Sequence, residues 1–147
     1  MKEGLKHNQL ELLLEDAVRL HGHLGPFLAI GVKMGTFAQQ LLKQDAKTPV
    51  KFQIAMKIPL RIPFSCAIDG VQATTHCTIG NRKLTVIDSQ KKMCAYFKVD
   101  DQPRKLNVTV NPRVIEEIKR ERNPSIPKLE IIERKFFGKP IKAVKVY

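Results

Sequence analysis

A break between two helical patterns constrains this chain more than any other feature of its sequence. Residues 21–26 read HGHLGP, and apolar side chains recur at three- and four-residue spacing both before and after this stretch. Gly22 suits the left-handed residue that follows a helix, and Pro26 suits the first turn of the next helix. We therefore predict a helix over residues 9–20, a tight turn, and a second helix that ends before Pro49.

The middle of the chain is dominated by alternating apolar and polar residues, which is the pattern of strands with one buried face. A short, mixed segment at residues 66–75 interrupts this pattern, and we predict a helix of two or three turns there. The loop at residues 88–91 is predicted to close a hairpin. Strands are predicted at residues 50–58, 84–87, 93–99, 106–110 and 141–147.

Helical patterns return in the last third of the chain. One helix is predicted to open at Pro112 and run to about residue 122, and another to cover residues 127–137. No repeat or long linker divides the 147 residues, so we predict a single domain over residues 1–147. Its class is α+β, with two N-terminal helices, a mixed or antiparallel sheet of about five strands, and C-terminal helices.

Two glycines lie four residues apart in the second predicted helix. Each costs about 1 kcal/mol relative to alanine in a helix interior. Close approach of another backbone at Gly31 and Gly35 would compensate for this cost. Either a dimer partner or a tightly packed strand could supply that backbone.

The composition is that of a soluble protein with an uneven basic excess. The net charge is +12, and residues 74–147 hold 17 Lys and Arg against 8 Asp and Glu. Such an excess can attract phosphate backbones, but the charges are scattered, as on a highly charged surface of a heat-adapted or halotolerant protein. No apolar run reaches the roughly 18 residues of a membrane span, and the N-terminus lacks a signal peptide. We expect a cytoplasmic protein without membrane attachment.

Two histidines flank the glycine of the break. Residues two apart point to nearly opposite sides of a helix, whereas in a turn both can face one side. His21 and His23 could then bind one metal ion, because neutral imidazole is the commonest protein metal ligand. The alternative is that both are polar residues in an exposed loop.

The chain has three cysteines, and an odd number in a cytoplasmic protein argues against a disulfide framework. Cys66 and Cys77 would complete a thiolate and imidazole set with the two histidines, and such a set suits zinc. Their spacing is not that of a zinc knuckle, so distant segments would have to assemble the site. The alternative is that both thiols are small core residues. Cys94 lies within an alternating strand and is assigned no role.

Three stretches of the chain resemble the motifs of one protein family. They are residues 21–26 (HGHLGP), residues 66–72 (CAIDGVQ) and residues 75–80 (THCTIG), and Asp88 and Lys91 stand where later motif residues occur. In this order and spacing the stretches resemble the FmdE family, which takes its name from a component of formylmethanofuran dehydrogenase. The resemblance spans roughly residues 9–147, without the CxxC zinc-ribbon domain that some members append.

The resemblance implies an archaeal-type α+β domain that forms a homodimer and has a metal-associated cleft. His21, His23, Cys66 and Cys77 would line that cleft, with zinc as the expected occupant and another divalent metal as the alternative. The family's link to molybdenum and tungsten enzymes of one-carbon metabolism implies an enzyme or an accessory subunit. Its partner would be a small molecule or a one-carbon carrier.

Two positions depart from the family pattern. The cysteine of the first motif is Gly25 here, and the glycine before Cys77 is His76. Our hypothesis is that His76 supplies the ligand or base lost at position 25, and the alternative is a degenerate site on a retained fold. Asp69 is the second candidate catalytic residue, as a proton acceptor or an orienter of a ligand. It would otherwise be a helix N-cap.

Two other function classes stay open at this point. The basic C-terminal half favours a nucleic-acid-binding module, but aromatic residues make up only 6% of the chain and tryptophan is absent. The other class is a structural dimer whose metal site is vestigial.

Overall fold

The computed structural model describes residues 7–42, 51–120 and 141–146, and it confirms the α+β class. The predicted helix over residues 127–137 lies outside the described residues. None of the helices in the described part of the chain is long and apolar enough to cross a membrane. The elements in chain order are α1 (His7–His21), α2 (Pro26–Leu42), β1 (Phe52–Ile58), α3 (Cys66–Thr75), β2 (Leu84–Asp88), β3 (Cys94–Val99), β4 (Lys105–Val110), α4 (Pro112–Arg120) and β5 (Ile141–Val146).

The five strands form one mixed sheet in the order β2-β1-β3-β4-β5. β1 pairs with β2 in parallel, and every other pairing is antiparallel. The hairpin predicted at residues 88–91 is wrong, because β1 lies between β2 and β3. Two parallel strands need a long crossover connection, and α3 supplies it between β1 and β2.

One face of the sheet carries the hydrophobic core. Alternate residues of β1 point to this face and are almost fully buried, as the period of a strand requires. Phe52 of β1 meets Phe97 of β3 edge to face, with ring centroids 5.4 Å apart. Helices α1, α2 and α3 contribute Leu14, Leu28 and Val71 to the same buried cluster.

Glycines allow α2 and α3 to pack with their backbones in contact. A Cβ atom at Gly31 would collide with the carbonyl oxygen of Ala67, and one at Gly70 would collide with the backbone of α2 at Leu28. A Cβ at Gly35 would strike the side chain of Thr74. The close backbone approach expected at both glycines is therefore present at Gly31, whereas Gly35 makes room for the side chain of Thr74. The neighbour is α3 of the same chain in both cases, so the expectation of a strand or a dimer partner at these glycines is wrong.

We expect Gly31→Ala to lower the free energy of unfolding by about 3 kcal/mol, because overpacking against a backbone atom cannot be relieved by a side-chain rotation. Gly80→Ala is the matched control, since the nearest atom to a Cβ there is Thr78 Oγ1 at 3.8 Å. Urea denaturation of the two variants measures the difference. Equal losses in both variants would contradict the account of the α2–α3 contact.

Candidate metal centre

The turn between α1 and α2 brings two imidazole rings together. α1 ends at His21, and Gly22 adopts the predicted left-handed conformation with φ of 110°. The Gly22 amide donates a hydrogen bond to the carbonyl of Val18 at 2.6 Å, which closes the end of the helix. The ring centroids of His21 and His23 are consequently 4.8 Å apart. The turned arrangement predicted for this segment is the one observed.

Asp69 fixes the orientation of His21. The Nδ1 atom of His21 lies 2.8 Å from Oδ2 of Asp69, which projects from the first turn of α3. A carboxylate only accepts hydrogen bonds, so Nδ1 of His21 is the donor in this pair. A neutral imidazole that donates from Nδ1 has its lone pair on the other ring nitrogen, Nε2.

That second nitrogen has no partner. Among the described side chains, Nε2 of His21 is the buried polar atom that makes no hydrogen bond. Leaving such an atom unsatisfied costs about 1–3 kcal/mol. His21 is also one of the residues that line a cleft, so this buried, unpartnered nitrogen belongs to a side chain at the cleft wall.

Asp69 is itself held in place by a relay of hydrogen bonds. Gln72, one turn further along α3, donates from Nε2 to Oδ1 of Asp69 at 3.1 Å. The amide of Ile79 donates to Oε1 of Gln72 at 3.0 Å. Both carboxylate oxygens of Asp69 are thus engaged. The alternative role of Asp69 as a helix N-cap does not apply, because Ser65 occupies that position.

Cys66 lines the same cleft as the two histidines. It is the first residue of α3 and is partly buried. Burial, and then the charge of Asp69, raise the pKa of the Cys66 thiol. Without a metal or another cation nearby, this sulfur is therefore protonated at neutral pH, and a bound metal would have to displace the proton.

The cleft has a volume of about 480 Å³ and mostly apolar walls. Phe27 and Phe64 meet there edge to face with centroids 5.1 Å apart, and Ile118 of α4 closes another side. No lysine, arginine, aspartate or glutamate belongs to the described lining, so the chemistry comes from the imidazoles and the thiol. A cleft of this size accommodates a small organic molecule.

Gly25 occupies the position from which a side chain would point at His23. A Cβ atom placed there would lie 3.8 Å from Nε2 of His23, at ordinary van der Waals distance. The family's motif cysteine would therefore stand beside the imidazole. With glycine, this side of the cleft has room but no donor.

The structure places Cys77 and His76 at the other end of α3. His76 is the exposed C-cap of that helix, with φ of 60°, and a ten-residue helix separates it from Cys66 by about 15 Å. Cys77 is buried, and its thiol donates to the carbonyl of Phe52 at 3.5 Å. Of the six predicted site residues, the structure thus brings together His21, His23, Cys66 and Asp69 but leaves out Cys77 and His76.

Two features of this site escaped the sequence prediction. Gln72 belongs to the family-like stretch at residues 66–72, but we predicted no function for it. Its position three residues after Asp69 on a helix is the signal that could have indicated a contact between the two side chains. The aromatic walls come from segments distant in sequence, and no local pattern connects them. Among the described residues, no group of three or more His, Cys, Asp or Glu side chains stands in a geometry that could hold a metal ion.

The protein is thus an α+β protein with a cleft lined by two imidazoles and a thiol. The two histidines lie where α1 meets α2, and a carboxylate of the crossover helix α3 contacts one of them. The chain belongs to the FmdE family: the family described as "FmdE, Molybdenum formylmethanofuran dehydrogenase operon" matches residues 20–145. The chain is also 36% identical over 102 residues to a "Probable S-adenosyl-L-methionine-binding protein" of Archaeoglobus fulgidus. The matched region covers 68% of this chain and 27% of that relative.

Alkylation of the Cys66 thiol by iodoacetamide should be slow at neutral pH in protein stripped of metal. Only the thiolate reacts, and a raised pKa places the midpoint of the rate–pH profile above the ordinary value of 9.0. Asp69→Asn should shift this midpoint downward, because it removes a negative charge, while the exposed control Asp16→Asn should not. Peptide mass mapping assigns the modification, and a midpoint at or below 9.0 in the unaltered protein would contradict the prediction.

Proposed function

We propose that this FmdE-family protein binds a zinc ion through His21, His23 and Cys66. The observation that carries the proposal is the buried, unpartnered Nε2 of His21, whose ring is oriented from behind by Asp69. Metal-ligating histidines commonly donate their other ring N–H to a carboxylate, which fixes the tautomer and makes the ligating nitrogen more basic.

The chemistry of the donors favours zinc over calcium or magnesium. Two imidazoles and one thiol are nitrogen and sulfur ligands, whereas the harder cations take oxygen. Three protein ligands with an open fourth position are typical of catalytic zinc sites. For His23 and Cys66 to close on an ion at His21, side-chain rotations would be needed, because the described residues do not hold a preformed three-ligand group.

A bound zinc ion would supply a Lewis acid and lower the pKa of a coordinated water molecule. The residues of the chain would orient the ligands and shape the cleft. Asp69 and Gln72 hold the ring of His21, and the apolar walls at Phe27 and Phe64 restrict water around the site. The space beyond the histidines would accept the part of a small molecule that reaches the ion.

We further propose that the protein serves formylmethanofuran-related one-carbon metabolism, either as an enzyme or as an accessory subunit. Family membership supports this role, since the family takes its description from the operon of the molybdenum formylmethanofuran dehydrogenase. A small molecule as the ligand of the cleft is supported by its volume and by the name of the Archaeoglobus relative.

The unaltered protein should bind about one zinc ion per chain, and His21→Ala should abolish stoichiometric binding. Asp69→Ala should weaken affinity by about 10- to 100-fold, because His21 loses its orienting partner. His76→Asn, which keeps a residue type tolerant of the left-handed conformation, is the matched control and should bind zinc normally.

Elemental analysis after dialysis and the zinc-dependent rise in melting temperature provide two independent readouts of these variants. An equal zinc content per chain in the unaltered protein and in His21→Ala would contradict the proposed ligand set. Loss of zinc in His76→Asn would instead indicate that His76 is a ligand.

Gly25→Cys should tighten zinc binding by about tenfold or more, because it adds a thiolate beside His23. Gly25→Ala isolates the effect of the sulfur, since it introduces the same Cβ atom without a donor. Competition with a chromogenic chelator measures both affinities. If the alanine and cysteine variants bind zinc equally well, position 25 does not face the ion.

A further inference from the structure

The sheet has a second face, which the cleft does not use. Because strand side chains alternate, the residues that point away from the helices can be read from the register. We call this the outer sheet face. Its described residues are Gln53, Ala55 and Lys57 of β1, Thr85 and Ile87 of β2, Cys94, Tyr96 and Lys98 of β3, and Lys105, Asn107 and Thr109 of β4.

The lysines of the first four strands all occupy positions on this face. They are Lys57, Lys98 and Lys105. The acidic residue of these strands, Asp88, pairs with Ile58 and so shares the register of the opposite face. The sheet is therefore cationic on one side, a property that the scattered charges of the sequence conceal.

Two of these lysines directly oppose each other. Lys98 of β3 and Lys105 of β4 are register partners, and both are exposed. Like charges at such a position destabilise the pairing of the strands. Neither lysine forms an ion pair with a described carboxylate, so an anion from outside the chain would relieve the repulsion.

The opposed lysines border a groove of about 410 Å³. Tyr96 lies in the adjoining row of the outer sheet face, next to Ala55, and it contributes an aromatic wall to the groove. Gln53 and Thr85 add exposed polar side chains. Exposed lysines, a half-buried aromatic ring and neutral hydrogen-bonding groups are thereby arranged along one groove.

We propose that the outer sheet face binds single-stranded nucleic acid. Lysines along a groove contact successive phosphates of a nucleic-acid strand. An aromatic side chain near them can stack on a base, and this stacking does not depend on which base it is. An acidic protein surface would also pair with the lysines, but a nucleotide strand engages the cations through its phosphates and the neighbouring ring of Tyr96 through a base. In a single strand the bases are free to reach these groups, whereas in a duplex they are stacked inside.

The test measures fluorescence anisotropy of a labelled oligouridine of about 20 nucleotides with the full chain, across a salt series from about 50 to 200 mM. The slope of log affinity against log salt is negative for such binding. The double variant Lys98→Gln and Lys105→Gln should make it shallower by about 1.4, since each lost phosphate contact removes about 0.7 from its magnitude. Lys91→Gln with Lys92→Gln removes the same charge from exposed positions outside the strands, and should leave the slope unchanged.

A second pair of variants tests the aromatic contact. Tyr96→Leu should weaken binding by about tenfold, whereas Tyr96→Phe keeps the ring and should bind as the unaltered protein does. Circular dichroism and melting temperatures of all variants establish that the fold is intact.

Three results would overturn the proposal. The first is no binding by the unaltered protein at about 150 mM salt. The second is an equal loss of slope in the two lysine pairs, which would indicate attraction by net charge alone. The third is competition by polyglutamate as effective as that by oligouridine, together with no effect of Tyr96→Leu, which would indicate an acidic protein as the partner.

Discussion

The backbone contact between α2 and α3 is the constraint on which the site depends. Gly31 and Gly70 let the two helices approach until their backbones touch, and any Cβ atom at either position would push them apart. α3 carries Cys66 and Asp69, while His21 is the last residue of α1 and His23 lies in the turn before α2. The hydrogen bond of 2.8 Å between Asp69 and His21 therefore joins two helices, so its length depends on how α1, α2 and α3 pack together.

The relay behind His21 extends this rigidity beyond the helices. Asp69 receives hydrogen bonds on both oxygens, and Gln72 connects it to the amide of Ile79 in the loop that follows α3. Asn81 ties that loop together by accepting from the amides of Thr78 and Lys83. The ring of His21 is therefore held by a preorganised framework, which lowers the cost of ordering this one residue when a ligand binds.

The periodicity of apolar residues predicted most of the helices and strands, because the buried face of each element is visible in the spacing of its own residues. The strand over residues 50–58 was evident from alternating apolar residues, and the structure places β1 there. The helix over residues 66–75 was predicted from a short, mixed segment that interrupts the strand pattern, and α3 lies there. The hairpin at residues 88–91 failed for a different reason. Which strands become neighbours depends on the crossover through α3, and no pattern within β2 or β3 records that connection.

The structure brings together only part of the predicted residue set, and the reason is geometric. Cys66 and Cys77 were grouped because two thiols and two imidazoles suit zinc, yet a helix of ten residues lies between them. The predicted α3 already implied about 15 Å between its two ends. His76 is at the wrong end for the same reason. The turn that unites His21 with His23 was predictable, because glycine at position 22 dictates it.

The distribution of charge separates the two surfaces that we assign to ligands. The described lining of the cleft at His21 contains no lysine or arginine. The lysines of β1, β3 and β4 lie instead on the outer sheet face, with the hydrophobic core between them and α3. Exposed charges are screened beyond about 8–10 Å at physiological ionic strength. An anion bound to the outer sheet face would therefore leave the electrostatics at His21 almost unchanged, and the two sites can be altered one at a time.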